Sequence, residues 1–558
     1  MIAESLAEPT HNRKQSFYAR HQTTIILASC MLLGLMLRIA LAGRSGLWRD
    51  EAQFLWIVRI PSLPAMLDFL WHHESHPPLF YVLMRAWLSL FSDSEAAALA
   101  LPVLLGVILI PIVYRVGDRV FSHCTGLIAA ILVTVSPLLA RYSGMVRPYS
   151  LLPLLCLLSV YWLWDGLRGR GARPWVAHTI ATLAMLVTHN WAWMVLAAEW
   201  IIVAGWFALR REPLEWTLVR SWAIAQLALL VVYSPWLPIL LYQSRHAGYD
   251  AFPLNPFVAF AYFAETVISL PVQAAVPVCM VLIVTAAWRV AVRRATVVPK
   301  DGSRQLSLLI FVGIPLLAFG VATLLSIKKF LLFPQCLTSI VPCVLLSIAY
   351  GIASLSNMPR VVTLVFTSIY IVFLVKDLGE IKSNAREVAS VVAAQARPAD
   401  LILITPVWYA SPFNYYYTLD NPQSNYPHEE RRGAIDYDDL RARLLDPEPM
   451  ARVRARLAQA HGEGRRIWLV TAPYNLSDGY HARRVLSDKA LGSDRLPDTL
   501  LLPTYGHVAR VRAIQLQKQL DTLYGTPKTI VVSPDGREGP EMLDVLLYAE
   551  DDPTLQTQ

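Results

Sequence analysis

Charge is scarce in this chain. Asp, Glu, Lys and Arg make up 16% of its 558 residues, where a water-soluble domain carries about a quarter. With hydrophobic residues at 55% and mean hydropathy at +0.43, that shortage excludes an ordinary soluble globule. No cysteine follows position 343, so the remaining chain has no disulfide framework. Of Cys30, Cys124, Cys156, Cys279, Cys336 and Cys343, all but Cys124 lie in or at apolar runs, and none resembles a paired metal site. A glycine-rich phosphate loop is missing, which leaves nucleotide binding without support. No internal repeat is visible. The N-terminus is polar up to Gln22, with Arg13, Lys14 and Arg20. The apolar run after it lacks a small-residue cleavage site and reads as a retained span.

What is present is apolar and clustered. Between Thr23 and Lys376 lie apolar runs of roughly 18–22 residues, matching a hydrocarbon core of about 30 Å at 1.5 Å per helical residue. The expected spans are 23–43, 95–115, 125–143, 148–166, 175–189, 191–209, 221–241, 271–290, 306–327, 332–352 and 360–376. About eleven crossings put the termini on opposite sides. The formal charge of +8 invites a nucleic-acid reading. It is rejected because the basic residues sit in short loops between apolar runs, which is a topological pattern. Loops assigned to the cytoplasm hold 17 Lys and Arg against 9 in the outward segments, which predicts a cytoplasmic N-terminus.

Two segments break the rhythm. Pro78 to Phe91 is apolar but too short to span, and counting it would invert every later loop. It and Asp50–Arg59 read as helices at the membrane interface, with Trp48, Trp56, Trp71 and Trp87 suited to that level. After Lys376 charged residues become frequent. Ile381–Arg397 reads as an amphipathic helix and Tyr437–His461 as a helix with a proline break. Leu401–Thr405, Ile467–Thr471, Thr529–Val532 and Val545–Tyr548 read as strands. The expected architecture is a polytopic α-helical membrane protein with a C-terminal extracytoplasmic α/β domain. It divides into an N-terminal tail (1–22), a membrane domain (23–376) whose first outer loop is 44–94, and a soluble domain (377–558).

The first outer loop is the richest in chemistry. It reads Leu47-Trp48-Arg49-Asp50-Glu51-Ala52-Gln53-Phe54, then His72-His73-Glu74-Ser75-His76-Pro77-Pro78-Leu79. Asp50 and Glu51 are the acid/base candidates. An inverting glycosyl transfer needs one carboxylate to take the acceptor's proton, and a phosphate leaving group needs only cations. Taken alone, the same pair also suits a helix start, with Asp50 as N-cap and Glu51 in the first turn. Arg147, followed by Pro148 and Tyr149, and the pair Lys328-Lys329 stand at outer span ends against the charge bias. Arg grips phosphate bidentately and Lys acts as a point charge, although either could instead snorkel to lipid headgroups. His72, His73, His76 and His189 could join a metal-bridged phosphate, but His72 and His73 suit a solvated loop better. Tyr409–Tyr417 could stack on sugar, though such runs more often pack a core. Asn475-Leu476-Ser477 matches a glycosylation acceptor pattern that also occurs by chance.

Taken in order, these pieces resemble a known superfamily. It comprises the protein O-mannosyltransferases and the bacterial lipid A aminoarabinose and galacturonic acid transferases, which share the GT-C membrane fold. The resemblance rests on Asp50-Glu51, His76-Pro77-Pro78-Leu79-Phe80-Tyr81, Leu101-Pro102 and Val113-Tyr114-Arg115. It continues through Ser136-Pro137-Leu138-Leu139, Arg147-Pro148-Tyr149-Ser150 and Lys329-Phe330-Leu331. It covers roughly residues 24–350 and is weak on the substrate. It implies a sugar donor carried on a polyprenyl phosphate, with Asp50 as the catalytic carboxylate and Glu51 assisting. His76, Arg147, Tyr149 and Lys329 would then hold the donor phosphate. It leaves a divalent metal open, with Glu51 and His76 as candidate ligands. Two departures stand out. Relatives often carry an acid two residues before the Arg-Pro pair, where this chain has Met145, and Arg-Tyr where it has Lys329-Phe330. Glu51, Asp250 or Glu265 could substitute for the missing acid.

The function expected is transfer of a sugar to an envelope acceptor (glycolipid, polysaccharide or protein). It would occur at the outer face of a bacterial inner (plasma) membrane, in contact with membrane lipid and without nucleic acid. The rivals are a transporter of lipid or solute and an inactive relative. A transporter should gather its polar residues near the midplane, whereas here they gather at one face.

Overall fold

The computed structural model of the chain describes residues 8–209, 215–246, 261–263, 265–267, 303–326, 331–355, 359–427, 440, 443, 446–471, 505–531 and 542–549. The expected span 271–290, together with Asp250, Lys328, Lys329 and Asn475-Leu476-Ser477, lies outside the described residues. Two compact units are present. One comprises Met1–Ala42, His76–Pro238 and Ala251–Leu378. The other comprises Gly43–Ser75, Ile239–Asp250 and Gly379–Gln558. The expected first outer loop is thus divided at Ser75 between the two.

The first unit is a helical bundle. Among the described residues six helices are long and apolar enough to cross a membrane: His21–Gly43, Glu95–Val120, Ala192–Leu209, Trp216–Ser244, Arg304–Ser326 and Pro359–Gly379. His123–Val135 and Pro137–Ser143, bent by 56°, make seven if the pair is one span. Three more of the expected spans, 148–166, 175–189 and 332–352, coincide with shorter helices. Leu151–Leu167, Ala172–Leu186 and Val341–Ala353 have 17, 15 and 13 residues. Turns account for the rest of those runs.

The bend follows from Ser136-Pro137. Pro137 cannot donate to the helical ladder, and the residue before a proline leaves the α region. Ser136 is accordingly extended at φ −60°, ψ 118°. The carbonyls freed there are met by Arg38, which is fully buried. Its guanidinium donates to Thr134 O at 3.3 Å, Val133 O at 3.4 Å and Gly34 O at 3.0 Å. A cation at a helix C-terminus opposes the helix dipole. Elsewhere small residues let helices approach, since a Cβ on Gly117 would stand 2.7 Å from Gly126 Cα.

Polar side chains also tie four helices together. Ser159 Oγ donates to Glu199 Oε1 at 2.8 Å, and Trp200 Nε1 donates to Gln226 Oε1 at 2.8 Å. Gln226 Nε2 then donates to His178 Nε2 at 3.3 Å.

The second unit is built on a five-stranded sheet of order β2-β1-β3-β5-β4. The strands are β1 Leu401–Ile404, β2 Gln423–Asn425, β3 Ile467–Thr471, β4 Lys528–Val531 and β5 Asp544–Tyr548. β1 runs parallel to β2 and β3, whereas β5 is antiparallel to β3 and β4. β1 and β3 are buried throughout, which explains their unbroken apolar runs. Helix Ala385–Gln395 buries Val388, Ala389 and Val392 in that core. A buried charge fixes the start of β1. Asp400 receives Arg466 Nε at 3.1 Å and Nη2 at 2.6 Å, with Trp468 Nε1 at 2.8 Å.

Candidate active site

The carboxylate pair lies in helix Arg49–Val58 of the second unit. Trp48, extended at φ −86° and ψ 172°, is the N-cap, so Asp50 does not fill that position. Glu51 makes the capping contact instead, its Oε2 accepting from Trp48 N at 3.2 Å. Its two carboxylate oxygens also lie 3.3 Å from Lys382 Nζ. Glu51 is fully buried, while the Asp50 side chain keeps 29% exposure and meets Arg49 Nε at 3.4 Å. Successive helical residues project about 100° apart. One carboxylate is therefore inside the packing and its neighbour at the surface of the unit.

The same helix is held along its length. Gly46 N donates to Ser383 O at 3.2 Å and Leu47 N to the Tyr416 hydroxyl at 2.8 Å. Trp56 Nε1 donates to Ser411 O at 3.2 Å. A Cβ on Gly46 would stand 3.2 Å from Arg386 N, which leaves little room there for a side chain. The Tyr-rich run thus packs against this helix and the domain core, with Tyr417 buried and stacked on Phe413 at 4.9 Å. Lys382, Ser383 and Ser411 were not singled out in the sequence. They stand more than 300 residues from their partners and carry no local motif.

The described candidates for holding a phosphate lie in the first unit. Arg147 lies in the turn after Pro137–Ser143, where its N donates to Met145 O at 2.8 Å. Its side chain is buried, with Nη2 donating to the His76 ring, 3.1 Å from Nε2 and 3.3 Å from Nδ1. The His76 and His189 rings meet edge to face at 5.0 Å, and Tyr149 lies 6.0 Å from His189. The Arg147 guanidinium carbon stands 5.9 Å from the Tyr149 ring centre, at the outer limit of a cation–π contact. His76, Arg147 and Tyr149 are therefore brought together, with His189 among them.

Backbone bonds set this cluster. Leu79 N donates to Val187 O at 2.9 Å, tying the Pro77-Pro78 segment to the turn that carries His189. Trp191 N donates to His189 Nδ1 at 3.1 Å, which makes that nitrogen the acceptor. Trp191 Nε1 donates to Leu331 O at 3.0 Å. Burial, and then the neighbouring His76 and Arg147, holds the His189 pKa well below the usual imidazole range. The cluster already resists one more positive charge.

Other candidates fall away from chemistry. His72 is exposed at the end of helix Leu63–His73, 3.0 Å from Asp68 O and stacked on Trp71. Glu265 is exposed. Among the described residues no group of three His, Cys, Asp or Glu is placed to hold a metal. Glu51 fits the role of ligand poorly, because a metal would have to displace Lys382 and the Trp48 amide.

Residues 75–239 match the family model described as dolichyl-phosphate-mannose-protein mannosyltransferase. The fold resembles a crystal structure of ArnT from Cupriavidus metallidurans bound to undecaprenyl phosphate. That match has TM-score 0.53 and 13% identity, and covers 95% of this chain and 98% of the other. The apo structure of the same protein aligns at TM-score 0.55 and 14% identity over 83% and 94%. The chain has the GT-C fold. No curated protein matches its sequence. The family match spans His76, Arg147, Tyr149 and His189, the whole of the described cation cluster, and leaves Asp50 and Glu51 outside it. Within the GT-C bundle that cluster sits on turns between apolar helices.

Proposed function

We propose that this chain is an integral membrane glycosyltransferase. It moves a sugar from a polyprenyl-phosphate donor to an acceptor hydroxyl at the outer face of the membrane, with inversion. The observation that carries the reading is the buried Arg147 beside His76, His189 and Tyr149. A buried guanidinium in that company gains most from an anion such as phosphate, which it can hold with two parallel N–H donors. The complex of the ArnT neighbour with undecaprenyl phosphate supports a lipid phosphate as that anion.

Asp50 takes the proton of the acceptor hydroxyl as its oxygen attacks the anomeric carbon. The bond from that carbon to the phosphate oxygen breaks, and its electron pair leaves with the polyprenyl phosphate. Arg147, His76 and Lys329 hold the departing charge, so no acid need protonate it. One base is then sufficient, and an acid at the Met145 position is not required. The acceptor belongs to the cell envelope, the N-terminus is cytoplasmic, and the C-terminal domain is extracytoplasmic.

The test uses purified full-length protein, a radiolabelled polyprenyl-phosphate sugar and an envelope fraction as acceptor. Transfer is expected with wild type and its loss with Asp50→Asn. Equal transfer by both would remove Asp50 from the chemistry. No turnover with any donor would overturn the enzymatic reading.

A further inference from the structure

We infer that Lys382 is a positioning residue, which holds the helix bearing Asp50 through its ion pair with Glu51 and makes the C-terminal domain the frame of that helix. The inference rests on the reading of Asp50 as the base. It reassigns Glu51 from the chemistry to its support.

Three consecutive residues make the connection. Lys382 Nζ meets both Glu51 oxygens at 3.3 Å. Ser383 O accepts from Gly46 N at 3.2 Å, just ahead of the helix. Asn384 then binds the residue before β5 at two points, donating from Nδ2 to Leu543 O at 2.8 Å and accepting from Leu543 N at 2.7 Å on Oδ1. One short strap therefore links the start of helix Arg49–Val58 to the lead-in of β5. Tyr416, whose hydroxyl receives Leu47 N, is itself covered by Arg386 at 5.4 Å.

The electrostatics explain why a lysine is needed. Glu51 is fully buried and Lys382 nearly so. A buried carboxylate that loses its cation is strongly disfavoured and moves or takes up a proton. Glu51 also caps the helix, so its displacement shifts the first turn. Asp50 is the adjacent residue in that turn. A misplacement of about 1 Å costs on the order of a hundredfold in rate.

The experiment compares Lys382→Met, Lys382→Arg, Glu51→Gln and Asp50→Asn in the full-length protein. Each is checked by circular dichroism to be folded at the assay temperature before its kinetics are read. Lys382→Met is expected to lower kcat about ten- to hundredfold, with donor KM within about twofold of wild type. Lys382→Arg should restore most of kcat. Glu51→Gln keeps a cap oxygen but loses the ion pair, and should match Lys382→Met. If Lys382→Met fails to fold, Glu51→Gln decides by the same criterion. Wild-type kcat in either variant overturns the inference. So does a raised donor KM at unchanged kcat, which would make Lys382 a donor ligand. Full activity in Asp50→Asn would instead overturn the reading of the base.

Discussion

Glu51 and Arg147 are both buried charges, yet their surroundings differ in kind. Glu51 has a cation at 3.3 Å and a backbone amide at 3.2 Å, so its charge is matched within its own unit. Arg147 has an imidazole at 3.1 Å, and a second imidazole and a phenol beyond it. The first arrangement is closed and holds a helix in place. The second gathers a guanidinium, two imidazoles and a phenol on turns, donors that suit an anion. Closed pairs should therefore govern stability and positioning, whereas the open cluster should govern binding and turnover.

The sharpest separation is between neighbours in the chain. Asp50→Asn should lower kcat by about 10²- to 10⁴-fold, the range for a lost general base, with little change in thermal stability, because its side chain is partly exposed. Initial rates at saturating donor, read beside a melting curve, check this. A large fall in melting temperature would make Asp50 a structural residue and erase the contrast with Glu51.

Asp400 is the second closed pair and has no part in the proposed chemistry. Its carboxylate takes two bonds from Arg466 and one from Trp468 Nε1. Asp400→Ala should cost about 3–5 kcal/mol, because it strands a partly buried guanidinium. Thermal unfolding followed by near-ultraviolet circular dichroism measures the loss. An unchanged melting temperature would show that such pairs do not hold this unit together.

For the open cluster the expected order is reversed. Arg147→Met should reduce kcat/KM by about 10²- to 10³-fold, as for removal of a preorganised cation or oxyanion donor. Arg147→Lys should recover only part, because an ammonium keeps the charge but not the planar fork. Neither should lower the melting temperature as far as Asp400→Ala does. A loss of stability as large as that of Asp400→Ala would mean that Arg147 is a closed pair after all.

How much of this was legible in the sequence depends on the range of the interaction. The membrane class, the terminal domain and four strands within a residue of their observed bounds followed from composition and periodicity, and the company of His76 with Arg147 and Tyr149 from the family resemblance. The bounds of helices inside the bundle did not follow. Apolar runs such as 332–352 continue through buried turns, and hydropathy does not distinguish a turn inside a bundle from a helix. The strand Gln423–Asn425 is short and polar, and its burial comes only from the sheet around it. Local signals made Asp50 and Glu51 both acid/base candidates, and only the resemblance set Asp50 as the base with Glu51 assisting. What separates them is Lys382, 331 positions away, and no local pattern marks it. Arg38 lies inside the first expected span and carries no local signal either, since its partners are carbonyls at the helix break before Ser136-Pro137.

The smallest predicted effect lies in the pH dependence of the open cluster. The folded His189 has a pKa well below its ordinary value, through burial and then His76 and Arg147. In the unfolded chain it titrates near about 6.5. Between the depressed value and about 6.5 the unfolded state binds more protons, so stability rises with pH in that window and is lost as pH falls through it. Above the window the group is neutral in both states and contributes no slope. One site can supply at most about 1.4 kcal/mol per pH unit. Melting temperatures of wild type and His189→Asn between pH 5 and 8 isolate this part. The variant should lose less stability on acidification, and the two curves should run parallel above the window. Equal slopes below it would mean that the imidazole charges freely in place. The cluster would then tolerate another cation, and the case for an anion beside Arg147 would weaken with it.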